Sequence, residues 1–313
     1  MKAIVYNQFG STEVLQMVEQ AKPTIKPDQV LVKLKAFSIN PMDWKIRKGE
    51  MKLMSGSKFP KHIGTDFAGI VEQVGSEVSN LKKNDEVFGV VKNMKFGASA
   101  EYIAVTSSLV WKKPSRISFP QAASIPVVGI AAVTALEKMG SINAQTDILI
   151  NGATGGFGMF LLQLLKKYQA NVTAVSSTKG LEFAKRWGAD RVIDYTKENV
   201  LSQKATYDIV IDLSGKVSYK IVKSILKPKG LFLNPTPKPI EIPTSFFNNL
   251  FTSKKHIVIL SNASSGYIAD LLNAVDNGAE IEVNRVFPFT QYKEAYQYAE
   301  RGGYVGKVVI EVS

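Results

Sequence analysis

The chain has 313 residues, too many for one ordinary core and suited to two domains. It contains no cysteine, which excludes disulfides, thiolate catalysis, iron–sulfur clusters and every thiolate zinc site. Basic side chains outnumber acidic ones by 39 to 27. The lysines are scattered and form no long run, so the net +12 reads as a solvated surface more readily than as a field for a polyanion. Two histidines, His62 and His256, lie far apart without the spacing of a helical metal pair, and no metal site is expected. The first residues alternate like a strand and lack the apolar core of a signal peptide. No stretch reaches the roughly 18 apolar residues of a bilayer span, so no membrane span and a cytoplasmic location are expected.

In chain order, the first third predicts short strands at 2–6, 29–38, 66–74, 86–91 and 99–105, punctuated by glycines, as in a barrel-like domain. Residues 121–136 read as helix broken near Pro126 and Gly129. From Asp147 onward strands and helices alternate. Strands are predicted at 147–151, 171–176, 191–193, 208–212, 230–234 and 256–260, with helices at 159–168 and 181–187. Six short apolar runs separated by helical stretches imply a parallel sheet covered on both faces. Residues 235–243 hold four prolines and read as loop or extended chain. A helix is expected over 267–276, and strands at 282–287 and 307–312 plausibly rejoin the first domain.

The run from Ile148 to Gly158 ends a buried strand and opens a helix. Gly155 and Gly156 permit a tight turn and a close approach to a pyrophosphate, and Gly158 lets the helix pack on the strand. The free N–H groups and positive dipole end of that helix face the phosphates, so Thr154, Gly155, Gly156 and Phe157 are candidate cofactor contacts. Ala153 replaces the first glycine of the usual triplet, but the strand before, the helix after and the next strand at the right distance support dinucleotide binding. An NAD enzyme usually carries an acid at the end of that second strand. Here no carboxylate lies between Ala170 and Gly180. Ser176 and Ser177 can donate hydrogen bonds and Lys179 can neutralise a 2′-phosphate, which favours NADPH.

The segments 40–45 (NPMDWK), 64–69 (GTDFAG), 153–158 (ATGGFG) and 306–309 (GKVV) resemble the quinone-oxidoreductase branch of the medium-chain dehydrogenase/reductase superfamily, over essentially the whole chain. The likeness is greatest to plant-type enone reductases that carry an NPxDxK segment. The resemblance implies an α/β protein with a GroES-like, β-rich catalytic domain from residues 1–124 and 264–313. A Rossmann NADPH-binding domain, a doubly wound parallel sheet, would occupy 125–263, and the active site would lie between the two. It also implies that Asn40 and Thr65 stand where zinc-dependent relatives carry a cysteine and a histidine ligand; neither replacement is a competent zinc ligand. Tyr195 would join Ser177 and Lys179 around the 2′-phosphate, or pack at a strand end. Leu213, Leu233 and Asn234, at later strand ends, and Lys307 and Asn40 are the remaining cofactor candidates. Homodimers are common among relatives, and residues 245–260 could form the edge through which one assembles.

Without metal, such an enzyme can deliver hydride to an acceptor that is already electron-poor: the C=C of an α,β-unsaturated ketone or aldehyde, or a quinone. Lys45 is the candidate for stabilising the developing enolate or for holding the nicotinamide ribose, against the alternative of a surface lysine on a helix. Asn40 could hydrogen-bond substrate or nicotinamide, and Asp43 is expected to cap the following helix. Trp44 and Phe67 fit a pocket wall and a core equally well. The outlying reading is a non-catalytic NADPH- or nucleic-acid-binding protein on the same fold, suggested only by the charge; no nucleic-acid partner is expected.

Overall fold

The structure, a computed structural model, describes residues 1–91, 96–202, 206–238, 240–259 and 266–312. Its elements in chain order are strands β1 (Lys2–Tyr6), β2 (Leu15–Glu19) and β3 (Gln29–Ser38), then helices α1 (Pro41–Arg47) and α2 (Lys52–Ser55). Strands β4 (Lys61–His62), β5 (Asp66–Val74), β6 (Glu86–Val90), β7 (Tyr102–Thr106) and β8 (Val110–Lys112) follow. Helices α3 (Phe119–Ala123) and α4 (Pro126–Met139) lead to β9 (Asp147–Asn151), α5 (Gly156–Leu165), β10 (Asn171–Ser176), α6 (Leu181–Arg186) and β11 (Arg191–Asp194). Next come β12 (Tyr207–Asp212), α7 (Tyr219–Val222), β13 (Leu226–Asn234), α8 (Glu241–Phe251), β14 (Lys255–Val258) and α9 (Gly266–Asp276). The chain closes with β15 (Val283–Pro288), α10 (Tyr292–Arg301) and β16 (Lys307–Glu311).

The strands after Asp147 form a parallel six-stranded sheet in the order β11-β10-β9-β12-β13-β14, the doubly wound arrangement whose strand order reverses beside β9. Ile148, Leu149 and Ile150 of β9 are buried on both faces, as a central parallel strand requires. A seven-stranded sheet is built from both chain ends, because β16 pairs antiparallel with β3 and parallel with β15. β2, β1 and β4 make a third, small sheet. The expected return of the C-terminal strands to the first part of the chain is therefore what forms.

Several elements differ from expectation for identifiable reasons. The helix over 121–136 breaks at Ser124–Ile125, just before Pro126, which starts α4 where its missing N–H costs nothing. Gly129 lies inside the continuous α4, and its missing side chain lets Leu271 of α9 close in. The proline-rich stretch is not loop throughout: α8 begins at Glu241 with Pro243 in its first turn. The edge expected over 245–260 is helical as far as Phe251; only Lys255–Val258 is strand, and Leu260 lies outside the described residues, as does the 263/264 domain boundary. The strand expected at 99–105 runs instead from Tyr102 to Thr106, with Ala100 in an isolated bridge to Ala3. Asp43 is the third residue of α1 and not its cap: Asn40 holds the cap position, and Asp43 accepts the Asn40 N–H at 2.8 Å.

Candidate functional site

The glycine turn sits at the switch point between β9 and α5. A Cβ on Gly158 would stand 2.2 Å from the Ala153 carbonyl oxygen, so glycine is what allows α5 to pack this tightly on the turn. Gly155 differs: a Cβ there would meet nothing of the protein closer than 3.9 Å, leaving an open face before the helix start. Gly155 also occupies the cap position of α5 without any side-chain cap, so the first-turn N–H groups are left for an external acceptor. These features fit a dinucleotide pyrophosphate.

At the end of β10 the buried Thr154 and Ser176 hydroxyls bond each other at 2.6 Å, closing the turn onto the second strand. Ser177 is half-buried and Lys179 exposed. The Tyr195 N–H donates to the Ser176 carbonyl at 3.1 Å, which brings the 57% exposed Tyr195 beside the same loop. Asp194, at the end of the neighbouring strand β11, accepts from Thr178 at 2.5 Å and from Thr196 at 2.7 Å; those two bonds hold its carboxyl below the usual range and occupy it. Lys179 faces a cleft of about 450 Å³ whose far wall includes Tyr298, Arg301, Tyr304 and Val305. That cleft adjoins the glycine turn, because the Gly306 N–H donates to the Thr154 carbonyl at 2.8 Å. Leu213 is half-buried, and Leu233 is fully buried in the sheet between its partners Ile211 and Ile257. Asn234 spends its carboxamide on its own loop, accepting from Thr236 N–H and donating to Glu241.

A buried polar cluster ties the seven-stranded sheet to the start of α4. The Lys307 ammonium donates to Asn40 Oδ1 at 2.6 Å and to the Ile39 carbonyl at 3.0 Å, and lies 4.0 Å from Asp66 Oδ2. The Asn40 amide donates to Asp66 at 2.9 Å and to Thr65 at 3.2 Å. Asp66 further accepts from Ser38 and, through Oδ1, from the Val127 N–H in the first turn of α4. The Lys307 stem crosses Gly156, where a Cβ would meet its Cδ at 2.5 Å. One lysine thus links the phosphate turn, the cap of α1 and the start of α4. Burial raises the Asp66 carboxyl while Lys307 pulls it back down; burial likewise lowers the Lys307 ammonium, and Asp66 and Asp43 hold it up. Burial pushes Asp43 up to about 7.

Helix α1 is fixed at both ends. Arg47 at its far end is fully buried, bonded to the Gly10 carbonyl at 3.2 Å and paired with Glu300 at 2.5 Å. From this platform Lys45 projects half-buried, with no hydrogen bond or ion pair to a described residue. Trp44 packs against the core from a half-buried position, whereas Phe67 is wholly core.

The sequence pointed to Asn40 and Lys307 separately, but nothing in it signalled that Asp66 would join them. Arg301 and the Tyr298–Tyr304 stack, opposite Lys179, were also not foreseen, since α10 was not read as a helix.

A zinc ion does not fit this site. Asn40 has all its carboxamide bonds inside the protein, with an ammonium 2.6 Å from its oxygen, and no cysteine exists to replace it. Among the described residues no group of three potential metal-binding side chains is assembled.

Comparison with known proteins places this arrangement. The alcohol dehydrogenase GroES-like domain family matches residues 26–115, and the zinc-binding dehydrogenase family matches 187–310. The chloroplast envelope quinone oxidoreductase homolog of Arabidopsis thaliana is 32% identical over 99% of this chain and 98% of its own length. The chain belongs to the medium-chain dehydrogenase/reductase superfamily, in its quinone-oxidoreductase branch. Within that branch, the chloroplastic NADPH-dependent alkenal/one oxidoreductase of the same plant is 35% identical over 99% of this chain and 79% of its own. The solved quinone oxidoreductase from Coxiella burnetii superposes with a TM-score of 0.89 at 30% identity, covering 100% of this chain and 99% of that one.

Proposed function

We propose that this superfamily member is a zinc-independent, NADPH-dependent reductase of the C=C bond of α,β-unsaturated ketones and aldehydes. The observation that carries the reading is the acid-free Ser176–Lys179 loop bonded onto an open glycine turn, with Lys179 unpaired among the described residues and Asp194, at the end of the neighbouring strand β11, occupied by Thr178 and Thr196. NADPH, when bound, supplies a hydride. The N–H groups at the start of α5 hold its phosphates, and Ser177, Lys179 and Tyr195 take its 2′-phosphate. The backbones at Leu213, Leu233 and Asn234 border the nicotinamide half. Lys45 stands free to neutralise the negative charge that grows on the substrate carbonyl oxygen as hydride reaches the β-carbon. Asn40, whose amide bonds are all internal, works by fixing α1 and Lys307.

The alkenal/one oxidoreductase at 35% identity supports the enone substrate. The quinone oxidoreductase homolog at 32% supports a second reading, quinone reduction on the same site. NADPH consumption followed by absorbance with enone and quinone panels separates them: turnover of quinones alone discards the enone reading. A homodimer and a cytoplasmic location, both expected from resemblance and composition, belong to the same proposal. Sedimentation velocity and cell fractionation test them.

A further inference from the structure

The run from Glu300 to Lys307 touches α1, the cleft and the phosphate turn within a few residues. At its start Glu300, in the last turn of α10, holds the far end of α1: its carboxylate accepts from the Arg47 guanidinium at 2.5 Å and from the Lys48 ammonium at 2.8 Å. At its end Lys307 holds the near end of the same helix through Asn40, at 2.6 Å. Between them Arg301, Gly302, Gly303, Tyr304 and Val305 line the cleft of about 450 Å³ opposite Lys179. The Gly306 N–H then donates to the Thr154 carbonyl of the phosphate turn at 2.8 Å. The two clamps on α1 are therefore the two ends of one wall of the cleft.

The ends of this run are rigid and its middle is pliant. Arg47 is fully buried, and among the described residues its only acceptors are Glu300 and the Gly10 carbonyl. A buried guanidinium parted from its carboxylate is strongly disfavoured, so α1 follows Glu300. Gly302 and Gly303 lie in the left-handed region, at φ +65° and +76°, and a Cβ on either would meet nothing within 4 Å. Glycine serves the backbone there and not the packing. Arg301 lies over the Tyr298 ring at 5.7 Å, and Tyr298 stacks on Tyr304 with centroids 5.7 Å apart, so the side chains flanking the two glycines are tied into one face.

A ligand seated in the cleft bears on that face, and any shift of the face reaches α1 from both ends. We propose that residues 300–307 form a strap that sets the seat of α1 when cofactor fills the cleft, with Glu300 as the positioning residue for Lys45. This rests on the roles proposed above for Lys45 and for NADPH in the cleft. Lys45 stands two residues before Arg47 and three before Lys48, on the turn that Glu300 holds, and it has no bond of its own to a described residue. Its ammonium is placed by the helix beneath it. Glu300 touches neither substrate nor cofactor and acts only through that helix, as the cofactor does through the strap.

Kinetics of NADPH-dependent enone reduction by E300Q, K45M and E300Q/K45M test the positioning role. E300Q should lower kcat about tenfold while the NADPH dissociation constant stays within about twofold of wild type, and the double variant should be no slower than K45M alone. E300D keeps a charge beside Arg47 and so keeps the fold should E300Q lose it; its kcat should fall about threefold. The strap is read without turnover, by fluorine NMR of the chain labelled with fluorotryptophan, with the resonance of Trp44 on α1 assigned by W44F. NADPH should shift that resonance in wild type and shift it much less in E300Q and E300D. Wild-type kcat in E300Q and E300D, or losses that multiply in the double variant, overturns the positioning role. A Trp44 resonance left in place while calorimetry shows NADPH bound overturns the strap, and no binding of NADPH at all discards the cofactor reading and the strap with it. If K45M alone is as fast as wild type, the role of Lys45 fails, and the Trp44 shift still decides the strap.

Discussion

Replacing Lys307 by methionine tests the buried cluster that joins the phosphate turn to α1. The methionine keeps most of the stem lying on Gly156 but removes the ammonium from Asn40, Ile39 and Asp66. Breaking a buried ion pair by deleting one partner costs about 3–5 kcal/mol. Here Asp66 keeps its hydrogen bonds from Val127, Ser38 and Asn40 and can take up a proton, so the loss near neutral pH should lie at the low end, about 3 kcal/mol. The sign of its pH dependence follows from Asp66. Burial already raises that carboxyl, and without Lys307 it rises further. A carboxyl whose folded pKa exceeds its unfolded one binds its proton more tightly when folded, so stability falls as pH rises between the two values. Urea denaturation of K307M should therefore show a deficit that is largest near about pH 8 and shrinks toward about pH 5. The double variant D66N/K307M should recover much of the loss. A deficit independent of pH, together with additive effects in the double variant, would refute the ion-pair account.

Substituting Lys179 by alanine should raise the NADPH dissociation constant roughly tenfold to a hundredfold, the range for losing a charged hydrogen bond, and leave NADH nearly untouched; equal weakening of both, read by calorimetry, would move the 2′-phosphate elsewhere. Asp43 is raised to about 7 by burial and its Oδ1 has no partner, so it too subtracts stability as pH rises through the range below 7. Asp43→Asn should flatten the melting-temperature profile between about pH 5 and pH 8, and an unchanged slope would show that Asp43 titrates normally. Asn249→Ala strips both partners from the His256 backbone and should cost about 1–3 kcal/mol, read by urea denaturation; a change below measurement error would mean that solvent replaces Asn249 without loss.

What could be read from the chain alone follows physical locality. The glycine turn, β9, β10 and the acid-free loop were legible because each depends on a few adjacent residues: an apolar run, a glycine where a Cβ would strike Ala153, serines and a lysine at fixed distance. The absence of cysteine excluded every thiolate zinc site before any fold was known. The cluster of Asn40, Asp66 and Lys307 was not legible as a cluster, because strands from opposite ends of the chain bring these residues together. The start of α8 was hidden by a proline-rich stretch whose last member, Pro243, is tolerated in a first helical turn, and α10 by a largely polar sequence whose buried face is Ala295, Tyr296 and Ala299. The charge misled in a different way. Eight lysines and a single acid, Glu241, fall within residues 213–259, a bias of one sequence segment that the absence of any long basic run concealed.

The central claim is that hydride passes from NADPH to the β-carbon of an electron-poor double bond. Its most direct test is turnover of a simple enone with NADPH deuterated at the transferred position, followed by mass spectrometry and NMR of the product. The saturated ketone should appear with one deuterium on the β-carbon and with NADPH consumed in equal amount. An allylic alcohol carrying deuterium on the former carbonyl carbon, or no NADPH consumption with any enone, would contradict it.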